Sequence, residues 1–315
     1  MSKKIREFEE NDKVFGSYLV TNVVKGVTAN SRNYMTITLQ DDSGSIEGKK
    51  WDSDKEDEEV FAIGNVVSIN ADVILYKTSL QLKIYNGEVV PMNLVDISRF
   101  LIMAPESLES LTSQINEYVS SFKNKDLKLI TETLLKKHWK AYTEYPAATK
   151  FHHAFGRGLM YHSVSMARLA EKVCSCYPVI QRDLLIAGAL LHDLGKTEEL
   201  SGPIAPHYTT EGRLLGHINI LAGEIQEEAK KLNIDPEVGY LLEHLVLSHH
   251  GKPEFGSAVQ PMIREAFVLN MIDDLDAKMN VLDKAFDGVK KGEWTQKIFP
   301  LDDRSFYLPV YDEKK

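Results

Sequence analysis

Cysteine is scarce: the 315 residues hold only Cys174 and Cys176, two positions apart, a spacing that on a helix points the thiols in different directions. They read as reduced core or surface thiols rather than a disulfide framework, which fits a reducing compartment. Long apolar runs are also missing. No stretch reaches the ~20 residues of a membrane span, and residues 1–9 lack the apolar segment of a secretory signal. The cytoplasm is therefore the expected location, with no membrane partner. Positive charge is in deficit as well, the net charge being −9. That argues against a chain that holds a phosphate backbone by bulk lysine and arginine charge, so any polyanion must be held locally. Bound metal ions would supply positive charge that a residue count does not see. Internal repeats and low-complexity segments are absent too.

What is present changes style near residue 100. Five β-rich runs, at 15–24, 34–40, 46–51, 65–73 and 79–84, are broken by turns. Asp41-Asp42-Ser43-Gly44-Ser45 reads as a hairpin turn and the acidic run from Asp52 to Glu59 as a solvated loop. Five short strands suit a small closed barrel better than an open sheet with long edges, and an OB-fold is expected. Beyond Ala104 the apolar spacing becomes helical: Leu108, Leu111, Ile115, Tyr118, Val119 and Phe122 recur at three- and four-residue steps, and similar stripes follow as far as Phe286. The expected organisation is multidomain: an all-β OB-fold barrel over 1–90, a linker over 91–104 bracketed by Pro91 and Pro105, an all-α domain over 105–294 and a tail over 295–315 that packs as an irregular strap. With 43% hydrophobic residues, a chain of this length can give each part its own core.

The chemistry sits in the helical part. His192 and Asp193 end the apolar run 184–191, where an imidazole and a carboxylate are costly to bury unless paired, hydrogen-bonded or bound to a metal. More donors lie along the chain: His162, His217, His249-His250, and Asp273, Asp274 and Asp276. A lone histidine on an apolar face is more often a satisfied core residue, and His138 and His244 are read so. Imidazole nitrogen and carboxylate oxygen suit Mn²⁺, Fe²⁺, Co²⁺ or Zn²⁺, and the absence of cysteine at these positions argues for an open, reactive site over a closed structural zinc. Lys196, three residues past Asp193, could touch a substrate phosphate or protonate a leaving oxygen. Among the barrel aromatics Tyr18, Tyr34, Trp51 and Tyr76 could stack bases, although strand aromatics are more often core. Tyr34 and Trp51 are taken as substrate contacts, together with Lys150, His152, His153 and Arg157 ahead of the first histidine.

The ordered series Gly156-Arg157-Gly158-Leu159-Met160-Tyr161-His162, His192-Asp193-Leu194-Gly195-Lys196, Gly216-His217, Ser248-His249-His250-Gly251 and Asp273 through Asp276-Ala277 resembles the metal-dependent HD phosphohydrolase superfamily. With the barrel in front, and Tyr145-Pro146-Ala147-Ala148 and His152-His153-Ala154 ahead of His162, nearly the whole chain is similar to the YhaM-type exoribonucleases. The resemblance implies that His162, His192, Asp193 and Asp273 hold one divalent ion. Asp193 would bridge to a second, whose shell His217, His249 and His250 complete. It implies two ions per site, with Mn²⁺ favoured over Co²⁺, Fe²⁺ or Zn²⁺, and hydrolysis of single-stranded RNA from its 3′ end to nucleoside 5′-monophosphates, with Asp193 and Lys196 catalytic. Single-stranded DNA is a second candidate substrate, and a homo-oligomer is left open. An HD phosphohydrolase acting on a nucleotide or cyclic dinucleotide, and a non-catalytic RNA-binding protein, are the alternatives. Two departures stand out. Tyr161 occupies a place where the family often has an acid, and Asp273, Asp274 and Asp276 compete for one role, Asp273 being preferred and Asp276 the fallback.

Overall fold

The computed structural model describes residues 3–77, 79–148 and 155–311. Contacts divide it into two compact units, residues 1–103 with 202–206, and residues 104–201 with 207–315.

The first unit is a five-stranded closed barrel: β1 (Lys13–Val27), β2 (Asn33–Asp41), β3 (Gly44–Trp51), then a helix α1 (Lys55–Val60), then β4 (Val66–Tyr76) and β5 (Ser79–Val89). Around the barrel the order is β1-β2-β3-β5-β4. Only the β3–β5 pair is parallel. β1 serves two neighbours along its length: Lys13 to Leu19 pair with β4 and Leu19 to Val27 with β2, the latter pairing shifting register between Val20 and Asn22. Alternate residues point inward, so Met35, Ile37 and Leu39 of β2 meet Val67, Ile69 and Val73 of β4 in one core. Tyr18 lies in that core, its hydroxyl donating to the Lys3 carbonyl at 3.0 Å. It is therefore a packing residue and not a base-stacking one.

The hairpin between β2 and β3 is tied by one side chain. Buried Asp41 accepts from the Ser43 amide at 2.8 Å, the Gly44 amide at 3.2 Å and the Ile5 amide at 2.9 Å, joining the N-terminal turn to the barrel. The acidic run expected to be a solvated loop forms α1. Asp54 caps it by accepting from the Asp57 amide at 2.9 Å, and the acidic side chains pair with barrel cations, Lys50 with Asp57 at 2.9 Å and Lys25 with Glu58 at 2.6 Å. Caps and ion pairs thus give order to a stretch whose composition alone suggests coil. The segment 91–104 carries short 3-10 turns at Met92–Leu94 and Ile97–Phe100, and Phe100 is buried against Leu19 and Val66.

The second unit is helical: α2 (Leu108–Ser120), α3 (Lys125–Glu144), α4 (Gly158–Cys176), α5 (Arg182–Leu191), α6 (Lys196–Glu199), α7 (Thr210–Lys231), α8 (Pro236–Ser248) and α9 (Arg264–Phe286). Every residue of α5 from Leu184 to Leu191 is buried, as expected of a helix that is apolar all round, and it packs on α3, α4, α8 and α9. The flanking helices are one-sided and start on capping side chains, Ser107 for α2, Asn124 for α3, Thr209 for α7 and Asp235 for α8. Past α9 the chain returns on itself through bridges between Trp294 and Tyr307 and between Ile298 and Arg304. None of the described helices is long and apolar enough to cross a membrane.

Asp41 offers a direct test of the barrel. Asp41→Ala orphans three amide donors, so exchange of the Ile5, Ser43 and Gly44 amides in D₂O should quicken by about 10- to 100-fold. Protection equal to the parent chain would show that the hairpin does not rest on this carboxylate.

Candidate metal centre

Helix ends build the site. The continuous apolar surface of α5 stops at His192, so His192 and Asp193 are carried on the rigid end of the central helix and remain buried. His162 and Ser165 stand on α4, Asp273 and Asp276 on α9, and His249 and His250 follow the last turn of α8. His217 depends on two glycines. Gly216, at φ 72° and ψ 151°, breaks α7 and turns the chain so that His217 faces Asp193. A Cβ on Gly195 would lie 2.2 Å from the His217 carbonyl oxygen, so no other residue fits there without moving His217.

The side chains converge on the Asp193 carboxylate, whose two oxygens face different partners. Oδ2 lies 3.5 Å from His192 Nε2 and 3.7 Å from His162 Nε2, while Oδ1 lies 3.3 Å from His217 Nε2 and 3.7 Å from His249 Nε2. Asp273 Oδ1 approaches His162 Nε2 at 3.2 Å and His192 Nε2 at 3.9 Å, on the first side. His250 joins His217 and His249 on the second, the donor atoms of these three lying within 4.8 Å of one another, as do those of His162, His192 and Asp193.

Every imidazole is held from behind through Nδ1. The acceptors are the Ala189 carbonyl for His192 (3.1 Å), the Val246 carbonyl for His249 (2.7 Å), the Phe255 carbonyl for His250 (2.7 Å), Glu199 for His217 (3.1 Å) and Asp276 for His162 (2.7 Å). Asp276 in turn accepts from the Ser165 hydroxyl. Bonds of this kind fix the tautomer and leave Nε2 aimed at the centre, which is how ligating histidines are supported. The geometry thus separates the competing aspartates: Asp273 faces the inner nitrogens, Asp276 supports His162 from outside, and Asp274 is exposed and paired with Lys278 at 2.6 Å.

Three buried atoms, Asp193 Oδ1, His217 Nε2 and His249 Nε2, have no hydrogen-bond partner among the described residues, and all three belong to the second side of the cluster. Leaving them bare costs about 1–3 kcal/mol each, and one cation among them would satisfy all three. Oxygen and imidazole donors without sulfur fit a borderline or moderately hard divalent ion. Cys174 and Cys176 lie at the end of α4 as free thiols. The residues present therefore fit a divalent metal.

Charge is arranged to match. Burial works against the Asp193 carboxylate, yet Lys196, His192 and His217 hold it well below the usual range. Asp273 is likewise lowered, burial being outweighed by His162 and His192. Burial disfavours the Lys196 ammonium, but Asp193, 2.6 Å away, keeps it charged. His249 is pushed well below its ordinary value by burial and by His192 and His250, so it stays neutral, the form a ligand needs. His162 behaves oppositely: burial would lower it, but Asp273 and Asp276 raise it to about 10.

The cluster floors one side of a cavity of about 700 Å³, lined by Asp193, Lys196, His250 and Asp273 among others. Other expected contacts lie elsewhere. Arg157, left-handed at φ 65°, precedes α4 and is not among the described residues lining this cavity, and its Nε is buried with no partner among the described residues. Tyr34 and Trp51 sit on the barrel with ring centroids 5.2 Å apart, Lys49 standing 5.1 Å over Tyr34. Lys150, His152 and His153 fall outside the described residues. His138 is buried against Glu224 at 2.7 Å and Thr197 at 2.8 Å, and His244 accepts from the Met262 amide, so both are structural. Glu199, Ser165 and the supporting role of Asp276 escape sequence reasoning. For Glu199 the one available signal is an acid six residues after Asp193.

A His162 imidazolium must lose its Nε2 proton before that nitrogen can bind a metal. Metal binding near pH 7.5 should thus release protons and tighten as pH rises toward 10. Calorimetry of Mn²⁺ binding in two buffers of different ionisation enthalpy reads this. Asp276→Ala, which removes one of the carboxylates that raise His162, should release fewer protons and bind about 10- to 100-fold more weakly. Identical proton release in both proteins would contradict the assignment.

Residues 159–278 match the HD domain family. Among solved structures, the second OB-fold domain of replication protein A from Methanococcus maripaludis overlaps 29% of this chain and 95% of its own, at 20% identity and a TM-score of 0.24. RecG bound to a three-way DNA junction overlaps 87% of this chain at 17% identity and a TM-score of 0.25, and the overlap spans 36% of RecG. Both overlaps are too loose to transfer a function. Residues 159–278 thus carry an HD domain, a module that binds divalent metal ions, behind a closed OB-like barrel of five strands.

Proposed function

We propose that this chain is a metal-dependent exoribonuclease of the YhaM type, removing nucleoside 5′-monophosphates from the 3′ end of single-stranded RNA. The observation that carries the hydrolytic part is the split Asp193 carboxylate, one oxygen toward His162 and His192 and the other toward His217 and His249, beside three buried atoms without partners. When bound, a pair of divalent ions at such a site activates water and stabilises charge at phosphorus. His162, His192, Asp193 and Asp273 would hold one ion, and Asp193, His217, His249 and His250 the other. Lys196 faces the cavity as an ammonium tied to Asp193, and a lysine kept charged in this way serves better to bind a phosphate oxygen than to give up its proton.

Binding of single-stranded nucleic acid is supported by the barrel. Trp51 is 47% exposed and packs with Tyr34, a pair that offers an aromatic face beside the Lys49 ammonium, the combination that holds bases and backbone without regard to sequence. Since Lys25 and Lys50 are paired with acids of α1, this face relies on stacking more than on charge.

A second reading, hydrolysis of a free nucleotide or cyclic dinucleotide, is favoured by one fact: the metal-ligand set, Lys196 and the cavity all belong to the helical unit. A purely structural metal fits less well, since Asp193, His250 and Asp273 open onto that cavity.

With 5′-labelled RNA and each divalent ion in turn, the protein should give a ladder shortening from the 3′ end, strongest with Mn²⁺ and abolished by EDTA. Asp193→Asn should lower kcat by at least about a thousandfold. Cleavage that persists in excess EDTA would sink the proposal, and an untouched RNA alongside turnover of small nucleotides would favour the second reading. On the barrel, Trp51→Ala should weaken binding of single-stranded RNA by about 5- to 150-fold at fixed salt. An unchanged affinity would remove the barrel platform from the account.

A further inference from the structure

The cavity beside the ligand cluster has a second character that phosphate chemistry does not require. Besides Asp193, Lys196 and Asp273 it is lined by Phe255, Phe267 and Met271. Phe255 ends the 3-10 turn Pro253–Phe255 after α8 and is 67% exposed; Phe267 stands in the first turn of α9 and is 60% exposed. Large apolar side chains left open inside a concave, polar-floored site mark a binding surface. Lys252 stands 5.9 Å over the Phe255 ring, and no carboxylate pairs with it among the described residues. A volume of about 700 Å³ is ample for one small ligand.

Resting on the hydrolytic reading above, we infer that Phe255 and Phe267 form a nucleobase-stacking subsite within the helical unit, which takes the base of the nucleotide whose phosphate lies at the ligand cluster. The floor selects phosphate through Lys196 and Lys252, and the walls select an aromatic base, since any base offers a π-face to a phenyl ring. A sugar phosphate without a base would satisfy the floor and leave both rings bare. Phe255 ties the two parts together, because its carbonyl accepts from His250 Nδ1 while its ring lines the cavity. This subsite recognises a terminal nucleotide and is separate from the Tyr34–Trp51 platform of the barrel.

The test is calorimetric binding of adenosine 5′-monophosphate and of ribose 5-phosphate to the full chain loaded with Mn²⁺. The wild type should bind the nucleotide about 5- to 150-fold more tightly than the base-free ligand. Phe267→Ala should bring that ratio close to one, and Phe267→Tyr, which keeps an aromatic plane, should restore most of it. Phe255→Leu, which keeps the backbone acceptor for His250, should also shrink the ratio. A wild-type ratio near one, or a ratio preserved in both Phe267→Ala and Phe255→Leu, would overturn the subsite. Because the readout is a ratio of affinities, it is independent of turnover. A chain that discriminates the two ligands but leaves RNA intact keeps the subsite and loses the exonuclease reading, and the converse result separates them equally well.

Discussion

A carboxylate buried at the end of an apolar helix is the constraint on which the helical unit depends. Asp193 is only 3% exposed, and a bare charge there would be prohibitive. Its surroundings are accordingly a cation and a ring of polar groups: one ammonium at 2.6 Å and four imidazole nitrogens within 3.7 Å. The helices that bring these groups do so because each buries an apolar face on α5 or its neighbours. The same packing that stabilises the fold therefore fixes the donors. On the His217 side the partnerless atoms cost stability, a cost that a cation among them would offset.

Backbone carbonyls and carboxylates behind the histidines add a further layer of control. Rings held through Nδ1 cannot flip without breaking that bond, so five inner nitrogens are oriented before any ion arrives. Gly195 and Gly216 extend this order to the backbone, one by allowing the His217 carbonyl to come close and the other by supplying a conformation that side chains disfavour.

Much of this was legible in the sequence, because the signals are local. The doublet His192-Asp193 after eight apolar residues announces a polar group buried for a reason, and alternation in 34–40 announces a strand. Five strands and a helical second half followed from periodicity alone. What stayed hidden is non-local. Asp276 meets His162 across 114 residues, and nothing in either segment tells which of three nearby aspartates turns inward and which supports from outside. Tyr18 illustrates a different blindness, since an aromatic on a strand has the same neighbours in sequence whether it faces core or solvent. The acidic run at 52–59 misleads because its order comes from Lys25 and Lys50 on other elements.

The two halves of the cluster are unequal. On one side Asp193 and Asp273 join His162 and His192, whose rings are backed by a carboxylate and by a carbonyl; on the other, His217 and His249 face a single oxygen of Asp193 and His250 lies beside them. Oxygen-rich shells prefer harder ions and nitrogen-rich shells softer ones. The donors at the two ends of the cluster therefore suit different classes of divalent cation, and the asymmetry is built into the protein before any ion is considered.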